Sequence, residues 1–145
     1  ENKDLTLAFA RENGYVKSLF GRRKYLPYIT DWNDGRRKAD ERAGINMPIQ
    51  SSAFDVLLCA MIILDDLMRE VGLRSMIINT VHDSIMFDVY PGELEKLADL
   101  CKDVMEIYGP EWFPGLDFSW FTVPLVVDME IGTHYGCLTE WNDNA

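Results

Sequence analysis

Two apolar runs near the middle of the chain have the composition of β-strands. Residues 75–81 and 85–90 are rich in isoleucine, valine and aromatic side chains, which favour strands. A few polar residues separate the runs, so the pattern predicts an antiparallel hairpin with Asp83 at its tip. An aspartate in that position is either a turn residue, a common role for aspartate, or a metal ligand.

Helical periodicity occurs on both sides of this hairpin. Residues 4–13 predict a helix that ends at Gly14, because glycine commonly follows the last turn of a helix. Residues 93–107 carry their apolar side chains on one face, which predicts an amphipathic helix.

A longer helix is predicted over residues 53–70, ending at Gly72. Pro48 disfavours the helical conformation of the residue before it, so we expect a break in the chain there. Ser52 and Asp55 have the spacing of a capping box with a shorter acid, which would start the helix. The apolar stripe of this helix is expected to contain Phe54, Leu57, Leu58, Met61, Ile62, Leu64 and Met68.

A second, smaller hairpin is predicted before this helix. Residues 15–20 resemble a short strand, and Gly21 with three basic residues would form a cationic tip. Residues 32–38 contain the sequence Asn-Asp-Gly, which is typical of a turn, and are expected to form a loop. Residues 39–45 fit a short helix.

Residues 122–131 alternate between apolar and polar side chains and predict a third main strand. The aromatic-rich residues 108–121 are expected to form an irregular connection. Its aromatic side chains either cap a core or, over residues 112–121, form a candidate docking surface. Together these elements predict an α+β fold, in which helices pack on one face of an antiparallel sheet of at least three strands.

Composition narrows the class of protein. A chain of 145 residues with 48% hydrophobic residues is long and apolar enough for one globular domain. Cys59 and Cys101 fall among apolar helical positions, so we expect reduced, buried thiols and a reducing compartment. The apolar run that ends at Leu64 is too short to span a bilayer, and we expect no membrane partner.

Charge is distributed unevenly along the chain. The net charge is −10, which normally argues against a nucleic-acid partner. However, residues 17–42 hold eight of the basic residues and only four acidic ones. This segment is either a solvated charged loop or a local cationic surface.

Four stretches, in order, resemble one protein family. Residues 14–27 are similar to the segment after the fingers of family A (bacterial DNA polymerase I-like) DNA polymerases, and residues 41–55 resemble the block that leads into a long palm helix. Val81-His82-Asp83 matches the third catalytic motif of the family. Residues 130–132 and Trp141 resemble its C-terminal end. The chain thus resembles the C-terminal palm segment of a right-hand polymerase, with residues 1–40 as the post-fingers segment and residues 41–145 as palm.

The resemblance implies template-directed DNA synthesis, in which two metal ions transfer a nucleotide from dNTP to a primer 3′-hydroxyl. The ions would be Mg²⁺, with Mn²⁺ as a substitute. Asp83 would be a metal ligand and His82 would contact the primer terminus.

The resemblance also implies a set of contacts with primer–template DNA. Without the resemblance, Arg42, Asn46 and Gln50 would be interpreted as the polar face of a helix. The residues expected along the minor groove of the duplex are Arg42, Asn46 and Gln50. The residues expected at backbone phosphates are Arg22, Arg23 and Lys24.

Two positions depart from the family pattern. Ser84 stands where most members have a glutamate, and Ser51 stands where the family has glycine. A serine after the catalytic aspartate resembles the phage-type single-subunit RNA polymerases, so RNA synthesis is an alternative function. Residues 22 and 46 favour the DNA enzyme.

The family's first catalytic aspartate and its fingers have no counterpart in residues 1–13. We therefore expect an upstream polymerase polypeptide as a partner, in a split or cut enzyme of viral or phage type. The expected location is the cytoplasm of a bacterium or of a phage-infected cell. A non-enzymatic alternative is a palm remnant that serves as a DNA-binding or interaction module.

Overall fold

A computed structural model describes residues 2–106 and 124–141 of the chain. The chain divides into two compact units, residues 1–58 and residues 59–145, and the boundary lies within one long helix. In chain order the elements are α1 (Asn2–Asn13), β1 (Tyr15–Lys17), β2 (Arg23–Tyr25), α2 (Asp34–Glu70), β3 (Met76–Val81), β4 (Ser84–Asp88), α3 (Leu94–Glu106), β5 (Glu130–Gly132) and β6 (Leu138–Glu140).

In the first unit, α1 is followed directly by the small hairpin that the sequence predicts. Gly14 ends the helix with a φ of +74°, a conformation that glycine adopts without strain. β1 and β2 then pair antiparallel. The basic residues do not all lie at the tip, because β2 begins at Arg23. The core of this unit is formed by Ala10, Val16, Leu26 and Ile29, with Leu7, Ala43 and Met47 packed against it.

Helix α2 begins earlier than predicted, at Asp34 within the expected loop 32–38. Asn33 caps the helix, since its Oδ1 accepts hydrogen bonds from the backbone amides of Gly35 (3.0 Å) and Arg36 (3.2 Å). The Asn-Asp-Gly sequence is therefore a helix start and not a free turn, because an asparagine side chain serves both purposes.

The predicted break at Pro48 is wrong, since the proline lies inside α2, a continuous helix of 37 residues. A proline inside a helix removes one backbone hydrogen bond and costs about 3 kcal/mol. Packing offsets this cost, because Ala43 and Met47, just before the proline, lie against the core of the first unit. The predicted capping box at Ser52 and Asp55 is wrong for the same reason, since both residues lie inside the helix.

The C-terminal end of α2 follows the prediction. Gly72 has a φ of +72°, and the amide of Leu73 donates to the carbonyl of Met68 at 2.8 Å. This is the hydrogen-bond pattern of a Schellman motif. The predicted apolar stripe is correct at Leu57, Leu64 and Met68, whereas Phe54 and Ile62 are exposed.

The second unit contains the predicted central hairpin. β3 and β4 pair antiparallel, with Val81 opposite Ser84 and a two-residue turn between them. The hairpin packs on a core shared by α2 and α3, which contains Ala60, Ile63, Leu64, Met68, Leu97, Cys101 and Val104. Burial raises the pKa of the Cys101 thiol to about 12, so it stays protonated at neutral pH. The expected burial of Cys101 is confirmed, and the reducing compartment stays a prediction. Cys59 is half-buried and forms no disulfide with the other described cysteines.

A carboxylate holds the base of this hairpin. Glu93 accepts hydrogen bonds from the amides of Arg74 (2.9 Å) and Ser75 (2.9 Å) and from the Ser75 hydroxyl (2.7 Å). The same hydroxyl oxygen accepts from the amide of Tyr90 at 2.9 Å. Glu93 therefore joins the residues before β3 to those after β4 and to the start of α3.

The prediction of one sheet with at least three strands is wrong for the described residues, where three separate two-stranded sheets occur. Residues 122 and 123 of the predicted strand 122–131 lie outside the described residues, and its described part is a strand only from Glu130 onward, in β5. Residues 124–131 do alternate between half-buried and exposed, but residues 124–129 pair with no strand among those described. Residues 107 and 108–121 lie outside the described residues. The fold is a mixture of helices and small antiparallel sheets.

Helix α2 is also long and apolar enough, by length and composition, to cross a membrane. Its most apolar 18-residue window has a mean hydropathy of 1.8, and 39% of that window is buried. A core helix meets the same criteria, and α2 contributes side chains to both cores. The expectation of no membrane partner stays a prediction.

We predict that Glu93 makes the stability of the second unit dependent on pH. The hydrogen bond from Ser75 lowers the pKa of Glu93 below its ordinary value of 4.5. The stabilisation is therefore present above the pKa of the unfolded chain and is lost as the pH falls through the lower, folded pKa. Urea unfolding at pH 7 and pH 3 should show that Glu93→Gln loses stability at pH 7 and depends less on pH.

The matched control is Glu95→Gln, which removes the same charge from an exposed side chain two residues further on, in the first turn of α3. An equal effect of the two substitutions on the urea midpoint would contradict the role given to Glu93.

Candidate nucleic-acid interface and hairpin tip

The predicted minor-groove residues form one stripe on α2. Arg42, Asn46 and Gln50 are spaced four residues apart, so they lie on neighbouring turns of the same side of a helix. All three side chains are exposed. The stripe spans Pro48, and its alignment therefore depends on the continuity of the helix.

The small hairpin places Lys24 beside this stripe. A shallow cavity of about 370 Å³ is lined by Lys24, Ala43, Asn46, Met47, Gln50 and Ser51. It therefore combines an ammonium group from β2 with two amide side chains from α2. Gly44 permits the close packing, since a Cβ atom there would lie 2.9 Å from Leu26 Cδ1.

The three consecutive basic residues predicted to bind phosphates occupy three different environments. Arg22 forms an ion pair with the buried carboxylate of Asp55 at 2.5 Å. The guanidinium of Arg23 lies 4.8 Å from the centre of the Tyr15 ring. Lys24 lines the cavity beside the helical stripe. Of the three, the structure brings only Lys24 together with the minor-groove residues.

Ion pairing removes much of the cationic character of residues 17–42. Carboxylates within the same unit pair with Arg22, Arg36, Arg37 and Lys38. The cations that make no ion pair with any described residue are Lys17, Arg23, Lys24 and Arg42. The local positive surface is therefore smaller than the sequence count indicates, and Lys24 and Arg42 belong to the side that bears the stripe.

Asp55 was predicted to be part of a helix cap, and its actual role was not predicted. Its oxygens instead accept hydrogen bonds from Arg22 and Ser18. The available signal was the apolar surroundings of Asp55 in the sequence, since a carboxylate among apolar helical positions needs a partner.

In the second unit, His82 and Asp83 form the turn between β3 and β4. His82 has a φ of +56°, whereas Asp83 has no positive φ. A two-residue turn with a positive φ at its first position alone fits type II′, where glycine is usual. The Ser84 hydroxyl donates to the carbonyl of Val81 at 2.8 Å. The hydroxyl of Ser84 is thus engaged within the turn.

The implied metal ions can be tested against the residues of the hairpin tip. Asp83 is exposed, and its carboxylate oxygens are hard donors of the type that Mg²⁺ prefers. Among residues 2–106 and 124–141, however, no three histidine, cysteine, aspartate or glutamate side chains are grouped closely enough to hold an ion. The described residues therefore supply one suitable ligand and not a complete site.

We predict that the positive φ of His82 stores strain in the turn. A side chain with a Cβ atom in the left-handed region costs about 1–2 kcal/mol. His82→Gly should therefore be more stable to urea than His82→Ala, by about 0.5–1 kcal/mol after allowing for the greater flexibility of unfolded glycine.

At Asp83 the order of stability should be the reverse, with Asp83→Ala more stable to urea than Asp83→Gly. Glycine relieves no strain there, because the φ of Asp83 is not positive. The same order at both positions would show that the turn is not strained at His82.

Comparison with known proteins places these features in a family. The family model for DNA polymerase family A matches residues 3–137. DNA polymerase I of Mycobacterium tuberculosis is 38% identical over 127 residues, which cover 88% of this chain and 12% of the relative. DNA polymerase I of Chloroflexus aurantiacus is 36% identical over 132 residues, or 91% of this chain and 13% of the relative.

A similar solved structure is the POL domain of Pol1 from M. smegmatis, in complex with DNA primer-template and dNTP. It has a TM-score of 0.68 and 38% identity, over 77% of this chain and 19% of that chain. This chain thus spans only a small part of the length of these relatives. The match over nearly all of its own length shows that the chain belongs to DNA polymerase family A.

Proposed function

We propose that this chain supplies the duplex-binding helix and one metal-binding carboxylate of a template-directed DNA polymerase. The observation that carries the proposal is the cavity in which Lys24 meets Asn46 and Gln50. Family membership supports DNA synthesis over the alternative of RNA synthesis, because the matched family model and the relatives are DNA polymerases.

The chemistry of this surface suits an enzyme that copies any sequence. The minor groove presents similar hydrogen-bond acceptors at A·T and T·A pairs, and the amide groups of Asn46 and Gln50 can donate to them. Lys24 would contact a backbone phosphate, which carries no sequence information. Arg42, one turn before Asn46, would extend the same set of contacts along the duplex.

In the second unit, Asp83 would hold a metal ion and His82 would contact the primer terminus. When bound, Mg²⁺ supplies activation of the primer 3′-hydroxyl and stabilisation of the leaving pyrophosphate. Asp83 presents its carboxylate from a two-residue turn whose flanking strands are fixed by backbone pairing. The short turn limits the movement of that carboxylate, which favours a fixed ligand position.

The rest of the site would come from another part of a polymerase. The fingers and the first catalytic aspartate would be carried by an upstream polypeptide, in a split or cut enzyme. The relatives reported above are bacterial, and a viral or phage origin and a cytoplasmic location stay predictions.

We predict that Asp83 is required for nucleotide incorporation. Residues 3–137 would replace the homologous stretch of the M. smegmatis POL domain, which provides the remaining polymerase parts. With Mg²⁺ present, this chimera should extend a primer, and Asp83→Asn should reduce extension to background while the circular dichroism spectrum is unchanged. Ser84→Ala should reduce activity only modestly, because its hydroxyl acts within the turn.

Asp88→Asn is the matched control, since Asp88 is an exposed aspartate on the same hairpin. Wild-type rates in Asp83→Asn would contradict the assignment. A folded chimera that binds DNA without extending the primer would favour the non-catalytic DNA-binding alternative.

We predict that Lys24 contacts a DNA phosphate. Each lost phosphate contact lowers the slope of log K against log salt concentration by about 1. Binding of the full 145-residue chain to a labelled primer–template duplex, measured by fluorescence anisotropy at several salt concentrations, should show this loss in Lys24→Ala. Lys38→Ala removes an equal charge that is paired with Asp34, and it should leave the slope nearly unchanged. Equal slopes for the two variants would contradict the contact.

A further inference from the structure

We infer that the ion pair between Arg22 and Asp55 positions the small hairpin on α2 and thereby holds Lys24 beside Asn46 and Gln50. Arg22 and Asp55 would then be positioning residues of the DNA-binding surface, and Arg22 would not be a phosphate contact. This inference rests on the proposed function and gives a role to two residues that the proposal itself does not use.

The carboxylate of Asp55 accepts three hydrogen bonds from groups of the hairpin. Oδ1 accepts from Arg22 Nε at 2.9 Å and from Arg22 Nη2 at 2.5 Å, and Oδ2 accepts from the Ser18 hydroxyl at 2.8 Å. Asp55 is only 5% exposed. A buried carboxylate without partners is strongly unfavourable, so the pair holds the connection between β1 and β2 on the helix.

Two serines fasten the same connection. The Ser18 hydroxyl oxygen accepts from the backbone amide of Arg22 at 3.2 Å, which closes the loop on itself. The Ser52 hydroxyl accepts from the backbone amide of Leu19 at 2.9 Å and donates to the carbonyl of Pro48 at 2.5 Å. The hairpin loop is therefore bound to about one turn of α2, from Ser52 to Asp55, through both side chains and backbone.

This attachment lies at the end of the strand that carries Lys24. Arg22 is two residues before Lys24, and β2 alternates its side chains between its two faces. Lys24 is opposite Val16, which is buried in the core of the first unit. Fixing Arg22 on the helix and Val16 in the core leaves Lys24 little freedom to move away from the cavity.

The side chain of Arg22 is half exposed, and one edge of its guanidinium is occupied by Asp55. Two of its three nitrogens donate to Asp55, and its Cζ lies 5.8 Å from the centre of the Phe54 ring. The contact with Phe54 also accounts for an aromatic side chain that the helical pattern placed in the core. An arginine held in this way is pre-organised for a structural ion pair, because its planar donors match a carboxylate.

Asp55→Asn separates the two roles, because they predict effects of opposite sign on DNA binding. The substitution removes a negative charge. If the ion pair does not position Lys24, the variant should therefore bind DNA equally well or more tightly. Positioning predicts weaker binding, with a salt slope lower by about 1, the same loss as in Lys24→Ala. The double variant of Asp55→Asn and Lys24→Ala should lose no more slope than either single variant.

Arg22→Ala provides the second arm of the experiment. If Arg22 acts through Asp55, the decrease in affinity caused by Arg22→Ala should disappear when Asp55 is already asparagine. A decrease of the same size in both backgrounds would overturn the inference and restore Arg22 as a phosphate contact. Unchanged or tighter binding by Asp55→Asn would also overturn it.

Ser18→Ala keeps the test valid if loss of the buried charge unfolds the first unit. It removes one hydrogen bond to Asp55 and one to the Arg22 amide without changing any charge, and it should lower affinity while the circular dichroism spectrum shows that the chain is still folded under the assay conditions. Full affinity in Ser18→Ala would count against positioning. If Lys24→Ala has the same salt slope as the wild-type chain, the proposed phosphate contact of Lys24 is contradicted, whatever the Asp55 variants show.

Discussion

The continuity of α2 through Pro48 is the constraint on which the candidate interface depends. Arg42 and Asn46 precede the proline, and Gln50 follows it. A break at Pro48 would rotate Gln50 out of the stripe, since a helix places residues four apart on the same side only while its turns continue. The cost of an internal proline is offset by contacts on both sides of it. Ala43 and Met47 pack on the core of the first unit, and Ser52 and Asp55 bind the hairpin.

The hairpin turns this stripe into a surface with both charge and hydrogen-bond donors. Lys24 adds its ammonium group because β2 lies close to α2, and Gly44 allows that approach. Four of the eight cations in residues 17–42 are paired with carboxylates, so the positive charge is concentrated at the other four. An acidic protein can in this way present a local surface suited to a polyanion, since charges paired within the protein contribute little at a distance.

The sequence predicted the local elements better than their boundaries and pairing. The central hairpin follows from β-branched residues, and the end of α2 follows from Gly72, because these signals are local. The continuity of α2 could not be predicted from local rules, which place a break at Pro48 and a cap at Ser52, while tertiary contacts decide otherwise. The same holds for residues 124–129, whose alternating pattern is present without a paired strand among the described residues.

In the candidate site, too, some features follow from local sequence signals and others only from tertiary contacts. The motif at His82 and Asp83 is local and was found from the sequence together with its turn. The three basic residues Arg22, Arg23 and Lys24 are indistinguishable in the sequence, since only the packing of the hairpin gives them separate environments. Asp55 was misassigned because a carboxylate near a serine fits a helix cap as well as a buried ion pair.

The measurement that tests the central claim most directly is photo-crosslinking from position 46 to a labelled primer–template in the POL-domain chimera. A photoreactive side chain at position 46 should crosslink to the duplex a few base pairs behind the primer terminus. The same side chain at Glu12, an exposed residue of α1, should crosslink weakly or not at all. Equal crosslinking from the two positions, or crosslinks from position 46 only to the single-stranded template, would contradict the assignment of this surface to the duplex.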